Sequence, residues 1–262
     1  VEKEGLPSQL LNQIKRIAAF QNPEFYKKQR MRLSTALTPR VICCAEDFPK
    51  HIALPRGCLN EVEELLKIHG VNIDIKDERF EGTKIDVSFH GQLTPLQQEA
   101  SNVLLDHETG VFVAPLGIGK TVVGTYLISA RRKNTLVLVH RRQLLEQWRV
   151  QLASLLAIDL REIGMIGGGR DKQTGYIDVA MFQSVIQKGD VKDIVKDYGH
   201  VIVDECHHVS AFTFEQVLRK ARARFILGLT VTPYRRDGHQ PIILIQLWKI
   251  LLQSLMEKRV SS

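Results

Sequence analysis

The sequence lacks the features of a membrane or secreted protein. None of its hydrophobic runs approaches the ~18 consecutive apolar residues of a membrane helix, and its first residues, Val-Glu-Lys-Glu, do not have the basic and then apolar order of a secretion signal. Its 4 cysteines show no C-x-x-C spacing, so no zinc site is expected. These absences predict a cytoplasmic protein with reduced thiols and no membrane partner.

Repeats and low-complexity segments are also absent. The 262 residues are enough for one large or two small domains, and 44% hydrophobic with 25% charged residues is typical of a globular protein. The 36 basic residues outnumber the 29 acidic ones, giving a net charge of +7, which favours a polyanionic partner. Because the chain starts with Val and not Met, we expect a fragment or processed product with further protein upstream or as a partner.

One segment has the pattern of a phosphate-binding loop. Two glycines let the backbone close around phosphates, a lysine supplies a positive charge, and a threonine offers a hydroxyl to Mg²⁺. The generic loop begins with glycine, whereas here that position is alanine, and an ordinary turn between a strand and a helix is the alternative interpretation. The residues predicted to bind ATP are Ala114, Pro115, Leu116, Gly117, Ile118, Gly119, Lys120 and Thr121.

A second segment places two carboxylates after a predicted strand. Three β-branched residues, Val201 to Val203, are followed by Asp204 and Glu205. The carboxyl ends of strands are the usual ligand edge of a parallel sheet. We therefore expect Asp204 and Thr121 to bind Mg²⁺, Glu205 to orient the attacking water, and Lys120 to belong to the catalytic residues as well. Together the two segments predict an ATP-driven nucleic-acid motor.

Strands and helices alternate over residues 91–246. This alternation predicts a mostly parallel sheet with helices on both faces. The last residues, 247–262, are predicted to form a short amphipathic helix. The predicted strands are Val111–Ala114, Thr135–Val139, Tyr176–Ala180, Val201–Asp204 and Phe225–Thr230.

Residues 1–90 are predicted to form a separate small α/β module. Apolar residues recur at helical spacing from Leu10 to Ala18, Asn22 and Pro23 have the order of a helix start, and Gly70 would close a helix over residues 59–69. Strands are predicted over residues 40–45, 51–54 and 71–75. The stretch from residue 15 to 40 carries seven basic residues and one acidic residue. Two interpretations of this stretch are open. It forms a surface that binds along the phosphates of a nucleic acid, or it is only a solvated helix surface.

Six segments, in the right order, resemble motifs of the first RecA-like domain of superfamily 2 helicases, and most closely those of the XPB-like and type III restriction-like branch. Two are the phosphate loop and the Asp-Glu-Cys-His box that starts at Asp204; the others begin at Leu93, Leu136, Asp178 and Gly228. The resemblance covers about residues 93–245 and implies a RecA-like domain. Residues 1–90 more loosely resemble the small recognition domain that precedes the motor in XPB-like and phage or conflict-system helicases.

The resemblance also implies roles for individual residues. Gln97 would pair with adenine, with a water-facing glutamine on an amphipathic helix as the alternative. Thr230 and Thr232 would couple the nucleotide site to the nucleic acid, and His207 would act as a second catalytic relay residue. The residues implied to contact the nucleic-acid backbone are His140, Arg141 and Gln183.

As a whole, the resemblance implies the ATP-binding half of an ATP-dependent helicase or translocase that uses ATP and Mg²⁺, with DNA favoured over RNA. The second RecA-like domain, which supplies arginine fingers, is expected to be missing, and the loss of such a finger costs ~10³–10⁵ in rate. Turnover by this chain alone should therefore be very slow. Two alternatives are a non-catalytic nucleic-acid-binding remnant and the motor subunit of a restriction-like defence system.

Overall fold

The computed structural model describes residues 1–187, 189–206 and 211–231. Within these residues the chain forms two compact units, unit 1 (residues 1–77) and unit 2 (residues 78–231). Three positions or segments with predictions lie outside the described residues: His207, Thr232 and the C-terminal helix over residues 247–262. None of the helices in the described part of the chain is long and apolar enough to cross a membrane.

Unit 1 is a small α/β unit, as predicted. Its helices are α1 (Ser8–Ile17), α2 (Pro23–Arg30) and α3 (Leu59–Ile68). Two short antiparallel pairs accompany them, formed by β1 (Ala19–Gln21) with β2 (Val41–Cys43) and by β3 (Glu46–Asp47) with β4 (Ile52–Ala53). The predicted start of α2 is confirmed, because the side chain of Asn22 accepts a hydrogen bond from the backbone N of Glu24 at 3.0 Å.

The prediction of a strand over residues 71–75 is wrong. Gly70 ends α3 with a φ of +68°, as expected of a glycine after a helix, and the following residues are irregular. The apolar residues of this stretch alternate, but the segment pairs with no strand in the described residues, and Ile75 is 53% exposed. Alternation alone does not make a strand, because a strand also needs a hydrogen-bonding partner.

Unit 2 contains a seven-stranded sheet and four helices. The helices are α4 (Pro95–Leu105), α5 (Lys120–Arg131), α6 (Arg142–Leu156) and α7 (Ala211–Lys220). The strands of the sheet are β5 (Thr109–Val113), β6 (Thr135–Val139), β7 (Ile163–Gly167), β8 (Arg170–Lys172), β9 (Ile177–Met181), β12 (His200–Val203) and β13 (Phe225–Thr230). Between β9 and β12, a small hairpin is formed by β10 (Ile186–Gln187) and β11 (Asp190–Val191).

The sheet has the strand order β5-β13-β12-β6-β9-β7-β8. All neighbouring pairs are parallel except β7 with β8, so the prediction of a mostly parallel sheet is confirmed. Crossover connections between parallel strands are right-handed. Helices α5 and α6 connect strands in one direction along the sheet, and α7 connects β12 to β13 in the opposite direction. Helix α7 therefore lies on the face opposite α5 and α6. Helix α5 contacts both α4 and α6, as helices on one face do.

The central strands are buried on both faces. Every residue of β6 and β12 is buried, and their runs of Val, Leu and Ile suit a strand covered by helices. The core also contains Trp148 and Leu152 of α6 together with Leu127 of α5. This packing fixes the carboxyl ends of the strands, from which the predicted site residues emerge.

Residues 78–90 belong to unit 2 and not to the N-terminal module. Ile85 and Val87 are buried in the core of unit 2, with exposures of 1% and 4%. The backbone N of Phe80 donates to the carbonyl oxygen of Arg222 at 2.7 Å, which ties this segment to the start of β13. The structure therefore divides the chain between Asp77 and Glu78, earlier than the boundary predicted at residue 90.

Candidate nucleotide and nucleic-acid sites

The predicted site residues follow parallel strands of one sheet. Ala114 comes directly after β5, His140 after β6, and Asp204 after β12. Gln183 lies in the short turn after β9, and Thr230 is the last residue of β13. Because these five strands run in the same direction, their carboxyl ends share one edge of the sheet, where α/β proteins bind ligands.

Two glycines give the predicted phosphate loop its shape. Gly117 has a φ of +88° and Gly119 a φ of +80°, a region that favours glycine. Gly119 directly precedes α5, and a Cβ at this position would lie 2.6 Å from Nε2 of Gln97. Leu116 is 79% exposed on the loop. The strand, glycine loop and helix of a phosphate-binding loop are therefore all present.

Lys120 connects the loop to the carboxylates. Its Nζ donates a hydrogen bond to the carbonyl oxygen of Ala114 at 3.3 Å and lies 3.9 Å from Oε1 of Glu205. The two side chains are only 9% and 16% exposed. The structure thus brings together the lysine and the glutamate predicted for the nucleotide site, although 85 positions separate them (205 − 120 = 85).

Gln97 is bound to the loop in this structure. Its Oε1 accepts from the backbone N of Thr94 at 2.9 Å, and its Nε2 donates to the carbonyl oxygen of Ile118 at 2.7 Å. The residue is buried, at 7% exposure, so it is not a water-facing glutamine. An amide has further donor and acceptor capacity beyond these two bonds. The pairing of Gln97 with adenine stays a prediction, and its contact with the phosphate loop is an additional observation.

Asp204 is a buried carboxylate with two donors. Its Oδ2 accepts from Nε1 of Trp148 at 2.7 Å, and its Oδ1 accepts from the backbone N of Glu205 at 2.9 Å. Burial raises the pKa of Asp204, while these hydrogen bonds and the charge of Lys120 oppose that rise. Trp148 is a core residue of α6, with an exposure of 1%. Its bond to Asp204 could have been suspected only from the rule that a buried indole N–H finds a partner.

Glu205 has an unusual backbone and a perturbed carboxyl group. Its φ is +48°, which is uncommon for a residue with a side chain. Burial raises its pKa most, the negative charge of Asp204 raises it further, and Lys120 opposes both. The backbone of Val231 also gives this carboxylate a hydrogen bond. A carboxyl group with a raised pKa is better matched to accepting a proton near neutral pH.

The oxygen atoms near the phosphate loop are suitable ligands for Mg²⁺. Thr121 offers a hydroxyl and Asp204 a carboxylate. Among the described residues each Asp204 oxygen accepts from one donor, which leaves it a further lone pair. Mg²⁺ is usually held by one or two carboxylates together with phosphates and water. Residues 1–187, 189–206 and 211–231 contain no cluster of three or more histidine, cysteine or acidic side chains that could hold a metal by themselves. A site shared with phosphates is consistent with both observations.

The residues predicted to contact nucleic acid also lie together. Strands β6 and β9 are neighbours, with Val139 paired to Met181, so the residues that follow them are close. Nε2 of Gln183 donates to the carbonyl oxygen of His140 at 3.5 Å. Arg141 is exposed at the start of α6. The structure therefore groups His140, Arg141 and Gln183 on the half of the edge next to the nucleotide site.

A turn of three glycines borders this group. Gly167, Gly168 and Gly169 have φ values of +119°, +66° and +87° and connect β7 to the antiparallel β8. A Cβ at Gly167 would lie 2.5 Å from Oγ of Ser184, and one at Gly168 would lie 3.2 Å from Nε of Arg142. The three glycines therefore form a tight hairpin that packs against Ser184, next to Gln183.

Thr230 lies between the two halves of the nucleotide site. Strand β13 pairs with β5, which leads to the phosphate loop, and with β12, which leads to Asp204. The carbonyl oxygen of Thr230 accepts from the backbone N of Ala114 at 3.0 Å, and the residue is 2% exposed. Its position suits the predicted coupling role, which stays a prediction.

Comparison with known proteins identifies the family. The ResIII model, described as the type III restriction enzyme res subunit, matches residues 90–235, more than half of the chain. The chain belongs to the ResIII family. Its RecA-like domain corresponds to the first of the two such domains of a superfamily 2 helicase.

Two relatives show how much of a ResIII helicase this chain represents. It is 34% identical over 167 residues to the DNA 3′-5′ helicase XPB of Kineococcus radiotolerans, and 29% identical over 167 residues to the DNA 3′-5′ translocase XPB2 of Sulfurisphaera tokodaii. These alignments cover 61% and 64% of this chain. The chain spans only 30% and 37% of the two relatives' lengths.

Among solved structures, the ResIII chain resembles the UvsW helicase of bacteriophage T4. The TM-score is 0.69, and the match covers 94% of this chain and 93% of that one. Sequence identity is 16%, so this likeness concerns the fold alone. It supports the RecA-like fold that the sequence motifs imply.

Proposed function

We propose that this chain is the ATP-binding half of an ATP-dependent helicase or translocase that, when complete, hydrolyses ATP to move on nucleic acid. The observation that carries the proposal is the 3.9 Å separation between Nζ of Lys120 and Oε1 of Glu205. This short distance places the glycine loop that follows β5 beside the two carboxylates that follow β12. Phosphoryl transfer from ATP requires such an arrangement.

Each residue of this site has a task in the proposal. The backbone N–H groups of the loop and Lys120 hold the phosphates, and Gln97 contacts the adenine. Thr121 and Asp204 hold Mg²⁺, which would neutralise charge on the phosphate oxygens. Glu205 orients the attacking water and accepts its proton at the carboxylate. Burial supports this role, since it raises the pKa of Glu205.

The other half of the edge is proposed to follow the nucleic-acid backbone. Arg141 is exposed and its charge suits a phosphate, while His140 and Gln183 stand beside it. We propose DNA as the preferred nucleic acid, because the names of both relatives specify DNA. Thr230, Thr232 and His207 complete the proposal as the residues that relay changes between the two sites.

A nucleotide-binding measurement tests the phosphate site. Mg²⁺–ADP should raise the unfolding temperature of the wild type, because a ligand that binds only the folded state stabilises it by about 2.7 kcal/mol at a concentration 100 times its Kd. Lys120→Ala should abolish this shift. Lys84→Ala, which removes an exposed lysine of unit 2, serves as the matched control. Equal shifts in the wild type and in Lys120→Ala would remove Lys120 from the site.

A second measurement separates a motor from a non-catalytic binder. ATP hydrolysis with and without DNA would be compared for this chain and for a longer product that also contains a second RecA-like domain. DNA-stimulated hydrolysis in the longer product supports the motor. Binding of nucleotide and DNA without hydrolysis in either protein would instead favour a nucleic-acid-binding remnant.

A further inference from the structure

Trp148 links three elements of unit 2. It lies on α6 and is 1% exposed. Its indole N–H donates to Oδ2 of Asp204, after β12, at 2.7 Å. On its other side, the ring packs so closely against α5 that a Cβ on Gly124 would lie 2.9 Å from Cη2 of the indole. The indole is therefore held between the helix that follows the phosphate loop and the carboxylate predicted to bind Mg²⁺.

This contact restricts the carboxylate of Asp204. One oxygen accepts from the indole and the other from the backbone N of Glu205, so rotation of the group would break both bonds. Asp204 is 6% exposed, and little water is available to replace a lost donor. A buried acceptor without a partner costs about 1–3 kcal/mol, and more when it is charged. The orientation with both bonds intact is therefore strongly favoured.

The remaining lone pairs of Asp204 are consequently aimed in a fixed direction. A carboxylate that binds a metal depends on such outer hydrogen bonds, and removing one typically costs ~10–100-fold in metal affinity or activity. The indole N–H is a donor only, so it cannot itself coordinate the ion. Its effect on a metal must pass through Asp204.

We propose that Trp148 is a positioning residue for nucleotide-bound Mg²⁺, acting through its hydrogen bond to Asp204. This inference rests on the proposed function, because it requires that Asp204 bind the ion. It predicts that loss of the N–H donor weakens the response to Mg²⁺ while leaving the metal-independent binding of nucleotide nearly unchanged.

The test uses variants that lose the N–H donor. The chain has two tryptophans, so Trp248→Phe leaves Trp148 as the sole indole and provides the reference protein. In this background, Trp148→Phe removes the donor and part of the ring. Replacing Trp148 with 3-benzothienylalanine, which has sulfur in place of the N–H, removes the donor and keeps the bicyclic shape. Leu152→Ala, a core change on the same helix, controls for lost packing.

Two readouts are independent of turnover. The first is the Mg²⁺ concentration that half-saturates the thermal shift at saturating ADP. It should rise about 10-fold in both donor-less proteins and stay unchanged in Leu152→Ala, since about 10-fold is the lower end of the effect of lost outer-shell hydrogen bonds. The second is the fluorescence of Trp148 in the reference protein, which should change when Mg²⁺ is added to the ADP-bound form.

Three outcomes are distinguishable. If ADP with Mg²⁺ stabilises the reference protein and the benzothienyl protein with equal Mg²⁺ midpoints, Trp148 has no positioning role. If Leu152→Ala raises the midpoint as much as the donor-less proteins do, the effect is packing, and the inference is also overturned. If no nucleotide stabilises the reference protein at any Mg²⁺ concentration, the proposed function itself fails.

Discussion

A fall in pH from 7.5 to 5.5 should destabilise unit 2 through His200. This histidine starts β12 and has no exposed surface. Its Nε2 lies 3.0 Å from Nη1 of Arg131, and its Nδ1 lies 3.4 Å from Oγ1 of Thr135. The guanidinium can only donate, so Nε2 must accept, and the ring is neutral with its proton on Nδ1. Burial and the charge of Arg131 both lower the pKa of His200 well below its ordinary value.

The sign and size follow from proton linkage. The folded pKa lies below the unfolded pKa of about 6.5, so the unfolded chain binds more protons below that pH, and stability falls as the pH falls. The stabilisation that comes from the neutral His200 is fully present above pH 6.5. At pH 5.5, with the folded ring still neutral, the free energy of unfolding loses RT ln(1 + 10), or about 1.4 kcal/mol, from this group.

Urea unfolding at the two pH values measures the effect, with His200→Gln as the comparison. Glutamine preserves an acceptor for Arg131 and a donor for Thr135 but does not titrate. The wild type should therefore lose about 1.4 kcal/mol more than His200→Gln between pH 7.5 and 5.5. The control His90→Gln, at an exposed position, tests whether any histidine substitution produces the same change. Equal losses in the wild type and His200→Gln would refute a buried neutral His200.

Two further predictions concern the proposed motor. Glu205→Gln should leave the thermal shift by Mg²⁺–ADP nearly intact while lowering turnover in an ATPase assay of the longer product, because an amide keeps the shape but accepts no proton; an equal loss of binding would make Glu205 structural. Arg30 and Arg32 are exposed in unit 1, and changing both to Glu should weaken DNA binding and flatten its salt dependence in a titration. Lys50→Glu with Lys67→Glu changes the net charge equally, and the same loss there would show that only net charge matters.

The buried strands were predictable because their signal is local. Thr135–Val139 and Phe225–Thr230 agree with the structure at both ends, and three of the five residues of the first are β-branched. Other strands shift by one residue, as the predicted Tyr176–Ala180 does relative to Ile177–Met181, because their ends are set by pairing with neighbours. The phosphate loop was equally readable, since its glycines are needed for their φ values.

The rest depended on contacts between distant parts of the chain. Nothing near Trp148 in the sequence identifies Asp204, 56 positions away (204 − 148 = 56), as the partner of its N–H. The burial of Ile85 likewise depends on the finished core of unit 2. Ion pairs also occupy part of the basic stretch in unit 1, because Lys15 pairs with the distant Asp47, and Lys28 pairs with Glu24 at 2.8 Å. The number of basic residues in the sequence does not show which of them pair with an acidic residue.

Helix α6 gives a physical reason why the two proposed sites would not act independently. It begins directly after Arg141, which is proposed to contact DNA, and carries Trp148 seven positions later, ~10 Å along the helix at 1.5 Å per residue. A packed helix moves as a unit, so a force on its first turn reaches the indole. The bond from Trp148 to Asp204 is 2.7 Å long, and such bonds extend only to about 3.2 Å. A displacement of roughly 0.5 Å away from Asp204 is therefore enough to weaken the hydrogen bond that orients the proposed Mg²⁺ ligand.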